Sequence, residues 1–191
     1  MMILERRRLL ICLSAACAAT LSGCDQGGDG QPLVGGPFRL VDQDGRPRDE
    51  AMLKGKWSAV FFGYTFCPDV CPTTLQTLGD AQDRLGARAR DFQVVFVSVD
   101  PERDSPQRLK SYLSNPAFPK GAVGLTGSAQ AVAQIAKAYH LYYQKSGTGP
   151  DYEVQHSSAV YLMDRKGRFN RVVAYGLTPE ETAGQIRQAM G

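Results

Sequence analysis

The chain has 191 residues, room for one ordinary domain and a short appendage but not for two full cores. Its 43% hydrophobic and 21% charged residues are the composition of a globular protein, which argues against a mainly disordered chain. The net charge of +3 owes much to Arg6, Arg7 and Arg8, and the rest is close to neutral with no basic stripe, so nucleic-acid binding is set aside.

Residues 1–23 read as an export signal. Arg6 to Arg8 give a cationic start, and Leu9 to Leu21 an apolar run too short for a membrane span of roughly 20 residues. The run closes on Leu21-Ser22-Gly23-Cys24, which resembles a bacterial lipobox, where cleavage exposes a cysteine that takes the lipid. Cys24 is the expected lipidation site, and Asp25 behind it resembles an inner-membrane retention signal. Such an anchor holds a domain on the membrane surface without crossing it. Residues 24–36 contain five glycines and are expected to be a flexible tether. The folded domain then spans 37–191, at the periplasmic face of a bacterial inner membrane.

Phe38 to Asp42, with a turn at Asp44-Gly45, predicts a short hairpin. Trp57 to Gly63 is a nearly unbroken apolar run, the pattern of a strand buried on both faces. Cys71 to Leu85 spaces Leu75, Leu78, Ala81 and Leu85 for a helix, with Cys71 as N-cap and Pro72 as first helical residue. Phe92 to Val99 is a second central strand, ended by Asp100-Pro101. Ser105-Pro106 opens a helix to about Ser114, Val123 to Thr126 is a short strand, and Ser128 caps a helix through Tyr139. Leu141 to Lys145 and Ser157 to Met163 read as strands separated by a polar loop. A turn at Asp164 to Gly167 leads into a strand over Phe169 to Tyr175, and Thr178-Pro179 starts the last helix. Crossover β-α-β units followed by a ββα ending give the expected class: α/β, a thioredoxin-like fold with an added N-terminal β-hairpin.

With Cys12 and Cys17 in the signal and Cys24 acylated, only Cys67 and Cys71 remain as thiols. In an oxidising compartment such a pair is a stapling disulfide, a redox couple or a soft-metal site. Four helical rises of about 1.5 Å put their Cα atoms about 6 Å apart, inside the usual disulfide window. A bridge over so small a loop removes little chain entropy, which makes it a poor staple. The helix start favours thiolate, the form needed for both exchange and metal ligation. Of the two histidines, His140 ends a helix and reads as a capping or surface residue. His156 is predicted to open the strand Ser157 to Met163, where such a sheet brings it against the cysteine turn. Thioredoxins proper place a cis-proline there, and no proline lies between Asp151 and Ser158. Two thiolates and an imidazole suit Cu(I), with Cu(II) accessible, whereas structural zinc wants a fourth protein ligand.

These residues resemble the Sco/SenC copper proteins of cytochrome oxidase assembly. The resemblance is carried by GYTFCPDVCP (Gly63 to Pro72), VSVDPERD (Val97 to Asp104), VGLTG (Val123 to Gly127), AKAYHLYY (Ala136 to Tyr143) and DYEVQH (Asp151 to His156), in family order. It implies a membrane-tethered metallochaperone, with no chemical turnover, that binds copper through Cys67, Cys71 and His156. It also implies a copper donor protein upstream and, as partner, cytochrome c oxidase subunit II or its assembly factors, with copper delivered to the CuA centre. The alternative is a thiol–disulfide oxidoreductase in which Cys67 and Cys71 keep the partner's cysteines reduced. Family members often carry an aspartate just before the histidine, where this chain has Gln155. Asp100 and Asp104 read as strand terminator and loop, not as ligands.

Overall fold

A mixed sheet organises residues 34–191, which are those the computed structural model describes. The strands in chain order are β1 (Arg39–Asp42), β2 (Pro47–Asp49), β3 (Trp57–Gly63), β4 (Phe92–Ser98), β5 (Val123–Thr126), β6 (Tyr143–Ser146), β7 (Glu153–His156), β8 (Val160–Met163) and β9 (Phe169–Val173). Seven of them form one sheet in the order β2-β1-β5-β4-β3-β8-β9. β3, β4 and β5 run parallel; β8 and β9 join antiparallel on one side and the β1–β2 hairpin on the other. This is the α/β arrangement with an added N-terminal hairpin that the sequence predicts. The helices are α1 (Val70–Arg84), α2 (Pro106–Leu113), α3 (Ala129–Ala138) and α4 (Pro179–Met190). None of the described helices is long and apolar enough to cross a membrane.

The core follows from the strand period. All seven residues of β3 are buried, and successive side chains leave opposite faces of the sheet. Phe61 meets Phe96 on one face, with ring centroids 5.9 Å apart. Phe62, on the other, meets Tyr139 at 5.1 Å and Tyr161 at 5.8 Å, both edge-on. Burial of each large side chain contributes about 1.5–3 kcal/mol, so the central strands are the rigid platform on which the rest is mounted.

Local chemistry sets the helix ends. Ser105, Ser128 and Thr178 each accept a backbone N–H of the following first turn, and Thr178 with Glu181 completes a capping box. His140 ends α3 in a left-handed conformation at φ 53°. The His140 N–H donates to the Lys137 carbonyl and the Leu141 N–H to that of Ala136, a Schellman closure. His140 is therefore a cap through its backbone, and its side chain is exposed.

Three expectations need correction. α1 begins at Val70 with Asp69 as N-cap, so Cys71 lies inside the first turn and not at the cap. The strand predicted over Leu141 to Lys145 does not join the sheet: as β6 it pairs with β7, which forms in the expected polar loop, in a separate antiparallel hairpin with Tyr143 opposite His156 and Ser146 opposite Glu153. The strand predicted over Ser157 to Met163 does join the sheet, as β8. His156 therefore closes β7, and the next sheet strand starts only at Val160. Finally, Val34 packs on the core and the Gly35 N–H donates to the Ala138 carbonyl at 2.8 Å, so ordered packing starts before residue 37. The export signal, Cys24 and residues 24–33 of the expected tether lie outside the described residues.

Candidate metal centre

The site is built where β3 ends. Gly63 is its last residue, and the chain turns through Tyr64 to Asp69 into α1. A side chain at Gly63 is impossible without movement: its Cβ would lie 2.7 Å from the Cys71 sulfur and 2.8 Å from the Phe96 ring. The missing side chain is what lets the Cys71 sulfur sit against the end of the central strand. Cys71 is fully buried and Cys67 half-buried, and both are free thiols.

The Asp69 side chain accepts the Thr73 hydroxyl at 3.2 Å but caps no backbone N–H of the first turn of α1. The Cys67 sulfur supplies the acceptor instead, taking the Cys71 N–H at 3.4 Å. A sulfur placed to accept helix N-terminal N–H groups is stabilised as thiolate. The Cys71 S–H points at Cys67, which lowers the Cys67 pKa; burial works against this, and His156 adds to the lowering. The result is a Cys67 thiol pushed from 9.0 down to about 4. Cys71 moves the other way: it is the donor in that contact and is buried, so its proton is held far above the ordinary thiol range.

The hairpin brings the third ligand. His156 Nε2 lies 3.5 Å from the Cys71 Sγ. Its other nitrogen, Nδ1, sits 3.0 Å from the Ser157 carbonyl. A carbonyl only accepts, so Nδ1 carries a proton there, and Nε2 is the nitrogen left to face the sulfurs. Tyr64 stands edge-on to the imidazole at 5.9 Å and Phe61 at 6.4 Å, which confines the ring. The ligating atoms of Cys67, Cys71 and His156 all lie within 4.8 Å of one another, and no other such group of three occurs among the described residues. Gln155 alternates outward along β7 and is exposed.

A soft, polarisable ion fits two sulfurs and one nitrogen; a hard cation needing six oxygens does not. The thiol pair also permits a disulfide if the sulfurs close to about 2.05 Å.

Sequence reasoning missed the brace beneath the loop. Asp104 is fully buried and accepts from the Thr65 N–H at 3.0 Å, the Thr65 hydroxyl at 2.6 Å and the Ser98 hydroxyl at 2.6 Å. Burial raises its pKa even though these bonds pull it down. Asp104 is more than the loop residue that the sequence suggests: it ties the cysteine turn to the end of β4. Nothing in the local pattern marks it, because an aspartate after a strand is ordinarily solvated.

Comparison with known proteins adds the following. A profile of the family described as SCO1/SenC matches residues 26–191. The SCO1 homolog 1 protein of Arabidopsis thaliana mitochondria is 40% identical over 142 residues, 73% of this chain and 42% of that protein. The chain thus spans less than half of that relative's length. The solved structure of ScoI from Bradyrhizobium japonicum with copper bound aligns at a TM-score of 0.75 and 41% identity, covering 82% of this chain and 99% of that one. BsSco, whose structure is described by a disulfide switch and by membership of the Sco family of cytochrome c oxidase assembly proteins, aligns at a TM-score of 0.64 and 27% identity. That alignment covers 83% of this chain and 94% of BsSco.

Proposed function

The chain belongs to the SCO1/SenC family, and on that premise we propose that it carries copper on Cys67, Cys71 and His156 and serves assembly of a cytochrome c oxidase. The observation that carries this reading is the imidazole Nε2 at 3.5 Å from a thiol sulfur, held toward it by the contact of Nδ1 with the Ser157 carbonyl. Copper is cargo here, not a resident cofactor. It arrives from a donor protein and leaves by ligand exchange, one sulfur or nitrogen at a time, to a partner with similar ligands. The destination is the CuA centre of oxidase subunit II, reached directly or through assembly factors. Cys24 tethers the domain by lipid to the periplasmic face of the inner membrane, which keeps it beside a membrane-bound oxidase.

A second reading is supported by the inequality of the two thiols. Half-exposed Cys67 is the thiolate, and buried Cys71 holds its proton. That division of labour suits disulfide reduction. Cys67 attacks a partner disulfide, releasing one partner thiolate. Cys71 then loses its proton and displaces the second, leaving a Cys67–Cys71 disulfide and passing two electrons to the partner. Copper loading requires reduced partner cysteines, so the two readings describe one task.

Anaerobic copper titration of the reduced protein against a competing chelator tests the first reading. Wild type is expected to bind one copper per chain. His156→Ala is expected to weaken binding by more than the about 10- to 100-fold that loss of an outer-shell partner costs, while the Cys67–Cys71 disulfide still forms on oxidation. Equal affinity in the variant removes His156 from the site.

A further inference from the structure

The two halves of the metal site are mounted differently. Cys67 stands on the turn between β3 and α1 and Cys71 in the first turn of α1, both packed against the seven-stranded sheet. The histidine stands on the β6–β7 hairpin, which shares no ladder with that sheet. Something other than strand pairing must hold the hairpin in place.

Arg103 lies between the two. Its Nε pairs with Asp100, whose other carboxylate oxygen accepts from the Tyr152 hydroxyl on the hairpin side. Its Nη1 donates to the Pro150 carbonyl in the hairpin turn at 3.1 Å. The guanidinium carbon lies 3.6 Å from the centroid of the Tyr152 ring, which precedes β7. It also lies 4.6 Å from the centroid of the Phe66 ring and 5.7 Å from that of Tyr64, both in the cysteine loop. One planar cation thus contacts both a ring preceding the histidine strand and rings beside the first cysteine. Stacking of this kind strengthens when water is excluded, and Arg103 is only 14% exposed. Its third nitrogen, Nη2, is buried with no hydrogen-bond partner. An apolar filler would avoid that unmet donor, so the cation is retained in spite of a desolvation penalty. The other cation at the hairpin, Lys145 with Glu102, is a solvent-exposed pair and a weak tie by comparison.

We propose that Arg103 is the positioning residue that clamps the histidine-bearing hairpin to the cysteine loop and so keeps His156 within reach of the sulfurs. Its neighbour Asp104 grips Thr65 of the same loop, so adjacent residues on one turn hold the loop from beneath and the hairpin from the side. Only the metal readout of the test rests on the copper reading; the hairpin readout is made on metal-free protein.

The test uses Arg103→Met, which keeps an apolar stem against Tyr152, and Arg103→Lys, which keeps the charge without the fork. Amide hydrogen exchange of the reduced, metal-free chain is expected to speed up at least tenfold across residues 143–156 in Arg103→Met, with β3 and β4 unchanged. Copper affinity is expected to fall by about 10- to 100-fold, and X-ray absorption is expected to lose the imidazole scattering while keeping both sulfurs. Arg103→Lys should lie between Arg103→Met and wild type. Wild-type exchange in the hairpin together with wild-type affinity overturns the proposal. So does exchange that loosens β3 and β4 as much as the hairpin in both variants, which makes Arg103 a general fold residue. If wild type itself shows no imidazole on copper, the metal reading fails while the clamp is still judged by exchange.

Discussion

Cys67 and Cys71 hold their protons unequally because their surroundings differ. Cys67 accepts a helix N–H and the S–H of Cys71, while Cys71 is enclosed by Gly63, Phe96 and the core. A thiol whose pKa is lowered becomes thiolate as pH rises through the lowered value, so Cys67 is ionised above about 4 and Cys71 is not. Reduced, metal-free protein treated with iodoacetamide is expected to modify Cys67 alone, at a rate that stays level from about pH 8 down to about pH 5. The plateau is the diagnostic, since a low-pKa thiolate is also intrinsically less nucleophilic. A rate that drops away below about pH 8, as for an ordinary thiol, contradicts the asymmetry. At this scale the sequence makes the two cysteines equivalent members of a CxxxC pair. Which of them is the thiolate depends on depth and on a hydrogen bond, and neither is written in spacing.

The central elements carry the site by their shape as much as by their ligands. Gly63 ends β3 under the Cys71 sulfur, so Gly63→Ala inserts a methyl group where no space exists. The expected result is a loss of about 1–3 kcal/mol in denaturant unfolding and displacement of Cys71. Copper affinity should drop with it; an alanine variant with wild-type stability and affinity would mean the strand end gives way freely. Strands β3 and β4 are legible from sequence because unbroken runs such as Trp57 to Gly63 have few alternatives to burial on both faces. The hairpin is not. Tyr143–Ser146 and Glu153–His156 pair with each other across a polar turn, and their pattern is compatible with either edge strands or loop. Placing His156 at the end of a strand rather than the start of the next required the pairing itself. The same holds for Cys71, which suits a cap because Pro72 suits a first helical position; Asp69 takes that place, two residues earlier than the proline implies.

At the scale of the described fold, a turn and a helix start packed on a rigid sheet supply two ligands, and a separately mounted hairpin supplies the third. On the proposed copper reading, such a division puts one of the three ligands on an element that shares no ladder with the sheet. It also explains why the ligand set was legible while its support was not. Cysteine and histidine announce their chemistry wherever they stand, whereas Arg103 and Asp104 acquire their roles only by being folded between distant segments. Copper carriage by this chain therefore requires one arrangement, the ligating atoms of Cys67, Cys71 and His156, which lie within 4.8 Å of one another, closing on a single soft ion. X-ray absorption at the copper edge, on the reduced wild-type protein loaded anaerobically with one equivalent of Cu(I), reads that arrangement most directly. Two sulfur ligands and one imidazole nitrogen are the predicted result, and a spectrum with sulfur alone or with no sulfur would contradict it.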